Sequence, residues 1–149
     1  MNVGELCNRE VVIVNRDQTI LDAAKLMREY HVGDVVVVEK QKEANVPVGI
    51  LTDRDIVIKI LAQDLDAGKV QIGDTMSFDL LTALEEDEIL ETVKRMRGRG
   101  VRRIPVVNAQ GGLEGIIAVD DLVDLLAEQM ADLVALISSE QRQEQKNRP

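Results

Sequence analysis

Thr52 and Asp55 stand three residues apart behind Gly49-Ile50-Leu51, and their spacing is the clearest chemical signal in the chain. A threonine and a carboxylate so placed form a capping box, each side chain bonding an amide at the start of a helix. Gly49 keeps the preceding strand bare for a close approach. The second signal is charge. Lys94, Arg95, Arg97, Arg99, Arg102 and Arg103, six of eighteen basic residues, fall within ten positions that contain no acid. Such a run is either a solvated helix face or a local anion site. Gly98 and Gly100 end the preceding helix, so Arg102 and Arg103 enter a strand on a fixed backbone. Cys7 and His31 are the single cysteine and histidine, which excludes an intramolecular disulfide and a Cys/His zinc set. Cys7 is expected to pack as a small apolar residue. His31, just past a helix, is expected to cap carbonyls there. No nucleophile, base and orienting group can be assembled, and no enzymatic activity is expected.

The elements that must position these residues come in duplicate. Sliding the chain by 69 positions sets Val3-Gly4-Glu5 on Ile72-Gly73-Asp74, Thr19-Ile20-Leu21 on Glu88-Ile89-Leu90, and Val35 to Val38 on Ile104 to Val107. After a slip of three residues, Gly49 to Asp55 aligns with Gly115 to Asp121. The slip is assigned to a longer polar loop, Glu39 to Pro47, in the first copy. Each copy reads strand, helix, strand, strand, helix. In the first, these are Val11 to Val14, the helix face Ile20-Ala23-Ala24-Met27, Val35 to Val38, Pro47 to Leu51, and Ile56-Val57-Ile60-Leu61. In the second they are Leu80-Leu81-Thr82, Ile89-Val93-Met96, Ile104 to Val107, Leu113 to Ala118, and Leu122 to Leu126. That last helix overruns to Ile137, and the tail from Ser138 to Pro149 reads as polar and frayed. The expected organisation is therefore residues 3–62, a linker 63–71, residues 72–127, and an extension 128–149.

A copy of about fifty-five residues makes a marginal core by itself. The two copies are therefore expected to pack through their sheets, leaving two equivalent clefts as the first places to look for a ligand. The chain has 149 residues, 45% of them hydrophobic and 1% aromatic, so its core is aliphatic. The net charge of −9 argues against a nucleic-acid coat. There is no apolar run of eighteen residues and no leader, which points to a cytoplasmic protein without membrane association.

These strings together resemble a tandem pair of cystathionine-β-synthase (CBS) domains, or Bateman module, over Val3 to about Ala127. The resemblance is carried by Val101-Arg102-Arg103-Ile104-Pro105-Val106-Val107 ahead of Gly115-Ile116-Ile117, and by Gly49-Ile50-Leu51-Thr52-Asp53-Arg54-Asp55-Ile56. It implies an α+β fold of two pseudo-symmetric β-α-β-β-α units. It also implies adenosine-containing ligands in the inter-domain clefts: AMP first, with ADP, ATP, NAD or S-adenosylmethionine open, and Mg²⁺ undecided. In the family's pattern the Asp accepts from both ribose hydroxyls and the Ser/Thr contacts phosphate, here Asp55 and Thr52. A carboxylate suits a vicinal diol, and free amides at a helix N-terminus suit a phosphate. Ile50 and Val36 would sandwich the adenine, with Ile104, Pro105 and Ile116 as further lining.

Two departures unbalance the expected sites. Asp121 is kept in the second copy, but Ala118 replaces the Ser/Thr, costing one charge-assisted hydrogen bond, roughly 1.5 to 3 kcal/mol. In the first copy, Asp34 stands where the second has Arg103, and would repel a phosphate. Arg103 is then the best phosphate partner, reaching toward Thr52 and Asp55; Arg54 is a weaker candidate. The expected function is a stand-alone regulatory module, a homodimer through its helices that signals occupancy to a protein in trans. The alternative is a constitutive scaffold with vestigial clefts.

Overall fold

A computed structural model describes residues 1–147, in two units, Met1–Ile117 and the segment from Ala118 onward. The first unit holds helices α1 (Val3–Leu6), α2 (Ile20–Tyr30), α3 (Asp53–Asp55) and α4 (Ile89–Arg99). Its strands are β1 (Ile13–Val14), β2 (Asp34–Gln41), β3 (Ala44–Thr52), β4 (Ala83–Leu84), β5 (Arg103–Val107) and β6, which runs on to Ala118 (Leu113–Ala118). They form two three-stranded sheets ordered β1-β2-β3 and β4-β5-β6. The first strand of each runs parallel to the middle one, with Ile13 opposite Val36 and Ala83 opposite Val106. The duplicated mixed α+β fold is therefore present.

The four valines of β2 show why it must be central. Val35 and Val37 point into a core with Ile20, Ala23, Met27, Leu51 and Ile60. Val36 and Val38 point the other way, onto Ile116 of the second sheet. Alternate residues of a strand face opposite sides, and both sides here are apolar, so the strand is covered twice. This second cluster joins sheet to sheet, as the duplicated pattern requires.

The copies also exchange their first turns. Val3 N donates to Asp87 O at 2.9 Å and Gly4 N to Glu85 O at 2.8 Å. Sixty-nine positions on, Ile72 N donates to Gln18 O at 2.8 Å and Gly73 N to Arg16 O at 2.9 Å. Ile72 and Met76 thereby complete the core of the first sheet.

This exchange changes the reading of the two strand glycines. A Cβ on Gly49 would lie 2.6 Å from Met76 Sδ and 3.0 Å from Ser77 O; on Gly115 it would lie 2.8 Å from both Cys7 Sγ and Asn8 O. The bare wall at Gly49 admits the protein's own chain, not a ligand. Cys7, half-buried against Gly115, packs as expected. Gly115→Ala should destabilise by about 1–3 kcal/mol through overpacking against a backbone carbonyl. Gly49→Ala should cost less, since the flexible Met76 can shift, and chemical denaturation of the two variants checks the order.

Several boundaries differ from expectation. Glu39 to Pro47 is not a loop: β2 and β3 pair as far as Gln41 and Ala44 and turn on Lys42-Glu43, whose φ values are 49° and 68°. Ladder hydrogen bonds extend there regardless of side-chain polarity, and two left-handed residues close the hairpin. The first strand of the second copy is Ala83–Leu84 rather than Leu80-Leu81-Thr82, and β1 begins at Ile13 rather than Val11. Ile56–Leu61 is a π-helical turn continuing α3, with Ala62 N donating to Val57 O. Gly100, at φ 65°, ends α4, while Gly98 lies within its last turn. His31 takes the left-handed C-cap of α2, where its amide donates to Met27 O.

The second unit is one helix, α5 (Val119–Asn147). Ser138 to Asn147 is helical rather than frayed; Arg148 and Pro149, the end of the expected tail, lie outside the described residues. Gln, Glu, Arg and Lys are good helix formers and extend a helix already nucleated by its apolar first half.

Candidate functional site

β3 ends at Thr52, which is extended (φ −109°, ψ 161°) and delivers its hydroxyl to the start of α3. Thr52 Oγ1 accepts from Asp55 N at 3.1 Å, and Asp55 Oδ2 accepts from Thr52 N at 3.0 Å. The capping box is therefore real. The chain builds a second one from the same residue types, Thr19 and Asp22 at the start of α2. The hydrogen bonds from Thr19 hold the Asp22 carboxyl below its ordinary value. The other oxygen of Asp55, Oδ1, lies 3.4 Å from Lys59 Nζ, which donates to Thr75 O at 3.3 Å.

The amides expected to meet a phosphate are already bonded. Asp53 N donates to Gly33 O at 2.9 Å, Arg54 N to Asp53 Oδ1 at 2.8 Å, and Asp55 N to Thr52. Short polar side chains at helix starts satisfy the orphan donors locally. The anion-binding capacity at α3 thus rests on side chains.

Arg103 supplies the cation. β2 pairs with β3 so that Asp34 lies opposite Thr52. Arg103 Nη1 donates to Asp34 Oδ2 at 2.7 Å, a bond between residues 69 positions apart and hence between equivalents of the two copies. This link brings the guanidinium of the second copy to the strand end bearing Thr52 and Asp55. The Asp34 and Arg103 side chains are 22% and 25% exposed. Burial pushes the Asp34 carboxyl above its ordinary value, opposed by Arg103 and reinforced by Asp53. The short ion pair would pull the other way, and desolvation prevails because the carboxylate is largely withdrawn from water.

The apolar candidates divide differently. Val36 is fully buried between the sheets, and Ile104, Pro105 and Ile116 are buried as well. These four are core residues here, not the walls of a base-binding slot; their strand periodicity is the same for either role. Ile50 is half-buried opposite Val36, and its carbonyl accepts from Ser77 N. Arg54 is exposed on α3. In the second unit, Asp121 is half-buried and its Oδ2 accepts from Ala118 N at 2.9 Å, the same end-cap that Asp55 makes.

Sequence reasoning missed a cavity of about 610 Å³ lined by Asn8, Glu10, Val11, Val12, Ile13, Leu26, Tyr30 and Val32. Val32 of this lining precedes Gly33, whose carbonyl accepts from the first amide of α3. Val11-Val12, an apolar pair too early for β1, was the available signal. Among the described residues no cluster of three or more His, Cys, Asp or Glu could hold a metal, and no helix is long and apolar enough to cross a membrane.

The family model described as CBS domain matches residues 3–62 and 72–128. An uncharacterized protein of Methanopyrus kandleri is 37% identical over 125 residues, which are 84% of this chain and 62% of that protein. The CBS domain-containing protein YhcV of Bacillus subtilis is 35% identical over 121 residues, 81% of this chain and 82% of its own. A solved CBS domain protein of Pyrobaculum aerophilum, complexed with AMP, is 27% identical, has a TM-score of 0.74, and matches over 82% of this chain and 90% of that one.

Proposed function

Since the chain belongs to the CBS domain family, with two such domains in tandem, we propose that it is a regulatory module that binds an adenosine-containing ligand beside Thr52, Asp55 and Arg103. The observation that supports this reading is the Asp34–Arg103 bond, which ties a cation of one copy to the strand residue paired with Thr52 of the other. Asp55 would accept from the ribose diol, Arg103 and Thr52 would meet phosphate, and the cavity that Val32 helps to line would take the base. AMP is the favoured ligand, because the relative from Pyrobaculum was solved with it. The reading has no catalytic step. Its output is a population shift: a phosphate at Arg103 competes with Asp34 and so loosens a link between the two copies, which a protein partner in trans can sense. We place this work in the cytoplasm, on a homodimer.

A second reading, a constitutive scaffold, is favoured by the bonded amides of α3 and the closed Asp34–Arg103 pair. Thermal unfolding with AMP, ADP, ATP, NAD and S-adenosylmethionine decides between them. A ligand at a hundred times its Kd adds about 2.7 kcal/mol, or roughly 5 to 10 °C for a chain of this length. A shift with one of the five identifies the signal; no shift with any of them leaves the scaffold.

A further inference from the structure

The internal repeat lets each copy serve as the control for the other. Helix α4 (Ile89–Arg99) is helix α2 (Ile20–Tyr30) moved by 69 positions, end for end. The strands keep that offset: Val14 pairs with Val37, and Ala83 with Val106. Residues 69 positions apart are thus structural equivalents from the chain before each helix to the middle strand after it.

The cavity of about 610 Å³ is lined from α2 by Leu26 and Tyr30 and, from the chain leading into β1, by Glu10 and Ile13 among others. The equivalents of Leu26 and Tyr30 are Arg95 and Arg99, four residues apart on one face of α4. Both arginines reach across the equivalent space. Arg99 Nη2 donates to Asp79 O at 3.1 Å and lies 2.6 Å from Asp79 Oδ1, and Asp79 is the equivalent of Glu10. Arg95 Nη2 donates to the carbonyl of Thr82, the equivalent of Ile13, while its Nη1 lies 3.1 Å from Asp87 Oδ2. Where the first copy sets an aliphatic side chain and a phenol ring beside its cavity, the second ties helix to chain with two guanidiniums. A guanidinium only donates, so a base entering there would have to strip it from its carbonyl and carboxylate partners and leave those acceptors unpaired.

We propose that these four side chains decide where the chain takes the base of its ligand: beside Leu26 and Tyr30 in the first copy, one per chain, with the counterpart in the second copy barred by Arg95 and Arg99. What enters the cavity rests on the adenosine reading; where it enters rests on the repeat. Equilibrium dialysis of the full chain against adenosine counts the sites. Adenosine carries no phosphate, so removing two cations does not weaken the probe. The wild type should bind one per chain, and Arg95→Leu/Arg99→Tyr, which writes the first copy's residues into the second, should bind one more. The Arg99 and Asp79 side chains are 39% and 90% exposed, and so exposed a pair adds little stability. If the double variant nevertheless fails to fold, Arg99→Tyr alone should show the added site. Tyr30→Arg should weaken the wild-type site about tenfold by removing the ring that faces the base. A wild type that binds none ends the adenosine reading, and the added site in the variant still decides the barrier. An unchanged count in the folded variant, a wild type that already binds two, or full affinity in Tyr30→Arg overturns the proposal and leaves the adenosine reading standing.

Discussion

The Asp55→Asn variant is expected to bind AMP about ten- to a hundredfold more weakly than the wild type while keeping most of its stability. Asp55 carries two duties that this substitution separates. Its Oδ2 accepts from Thr52 N, and an amide oxygen can replace it there. Its charge faces Lys59 at 3.4 Å, a half-exposed pairing worth little. A charge-assisted hydrogen bond to a ribose hydroxyl is worth about 1.5–3 kcal/mol, and a neutral oxygen forfeits much of that. Asp55→Ala should lose the same affinity and a further 0.5–2 kcal/mol of stability, roughly, because the cap goes as well. Isothermal titration with AMP beside urea denaturation separates the two effects. If Asp55→Asn binds AMP as the wild type does, the carboxylate is a helix cap only and the ribose lies elsewhere.

The opposite result is expected one strand away: Asp34→Asn should strengthen AMP binding about tenfold. Asp34 holds Arg103 at 2.7 Å, so a phosphate must compete with a carboxylate for that guanidinium. Removing the charge removes the competitor, a gain on the order of one charge-assisted hydrogen bond. Arg103→Ala should abolish the gain and cost about 1–3 kcal/mol of stability by stranding a largely buried carboxylate. Acidity should mimic the substitution. The folded-state pKa of Asp34 is raised above its ordinary 3.8. Between those values the native state holds a proton that the unfolded chain has lost, so this residue's contribution to stability grows as pH falls through the raised value and is lost as pH rises. Below 3.8 both states are protonated and nothing further changes. Protonation also frees Arg103. The affinity advantage of Asp34→Asn over wild type should therefore narrow as pH is lowered, a comparison in which AMP's own phosphate titration cancels.

Much of the site was legible because its residues sit at fixed local spacings. Thr52 and Asp55 find each other within one turn, and the capping box needs nothing from the rest of the chain. Arg103 was legible for a different reason: the repeat sets it on Asp34, and equivalents in a duplicated fold meet near the axis relating the copies. What was not legible is which side of β2 each valine takes. Four consecutive valines carry no alternation, so Val36 reads equally as ligand wall or as core. Gly49 misled because a missing Cβ records that something approaches closely, without recording whether it is a ligand or Met76.

The sequence by itself determined the duplication, the order of elements in each copy and the Thr52/Asp55 capping box, all consequences of spacing along one chain. Only the tertiary structure decided that each copy's first turn is built into the other, that Asp34 closes on Arg103, and that the α3 amides are already bonded. The division has a physical cause. Helix caps and strand periodicity are set by dihedral angles and neighbours a few residues away, whereas contacts across tens of residues depend on which apolar faces exclude water together.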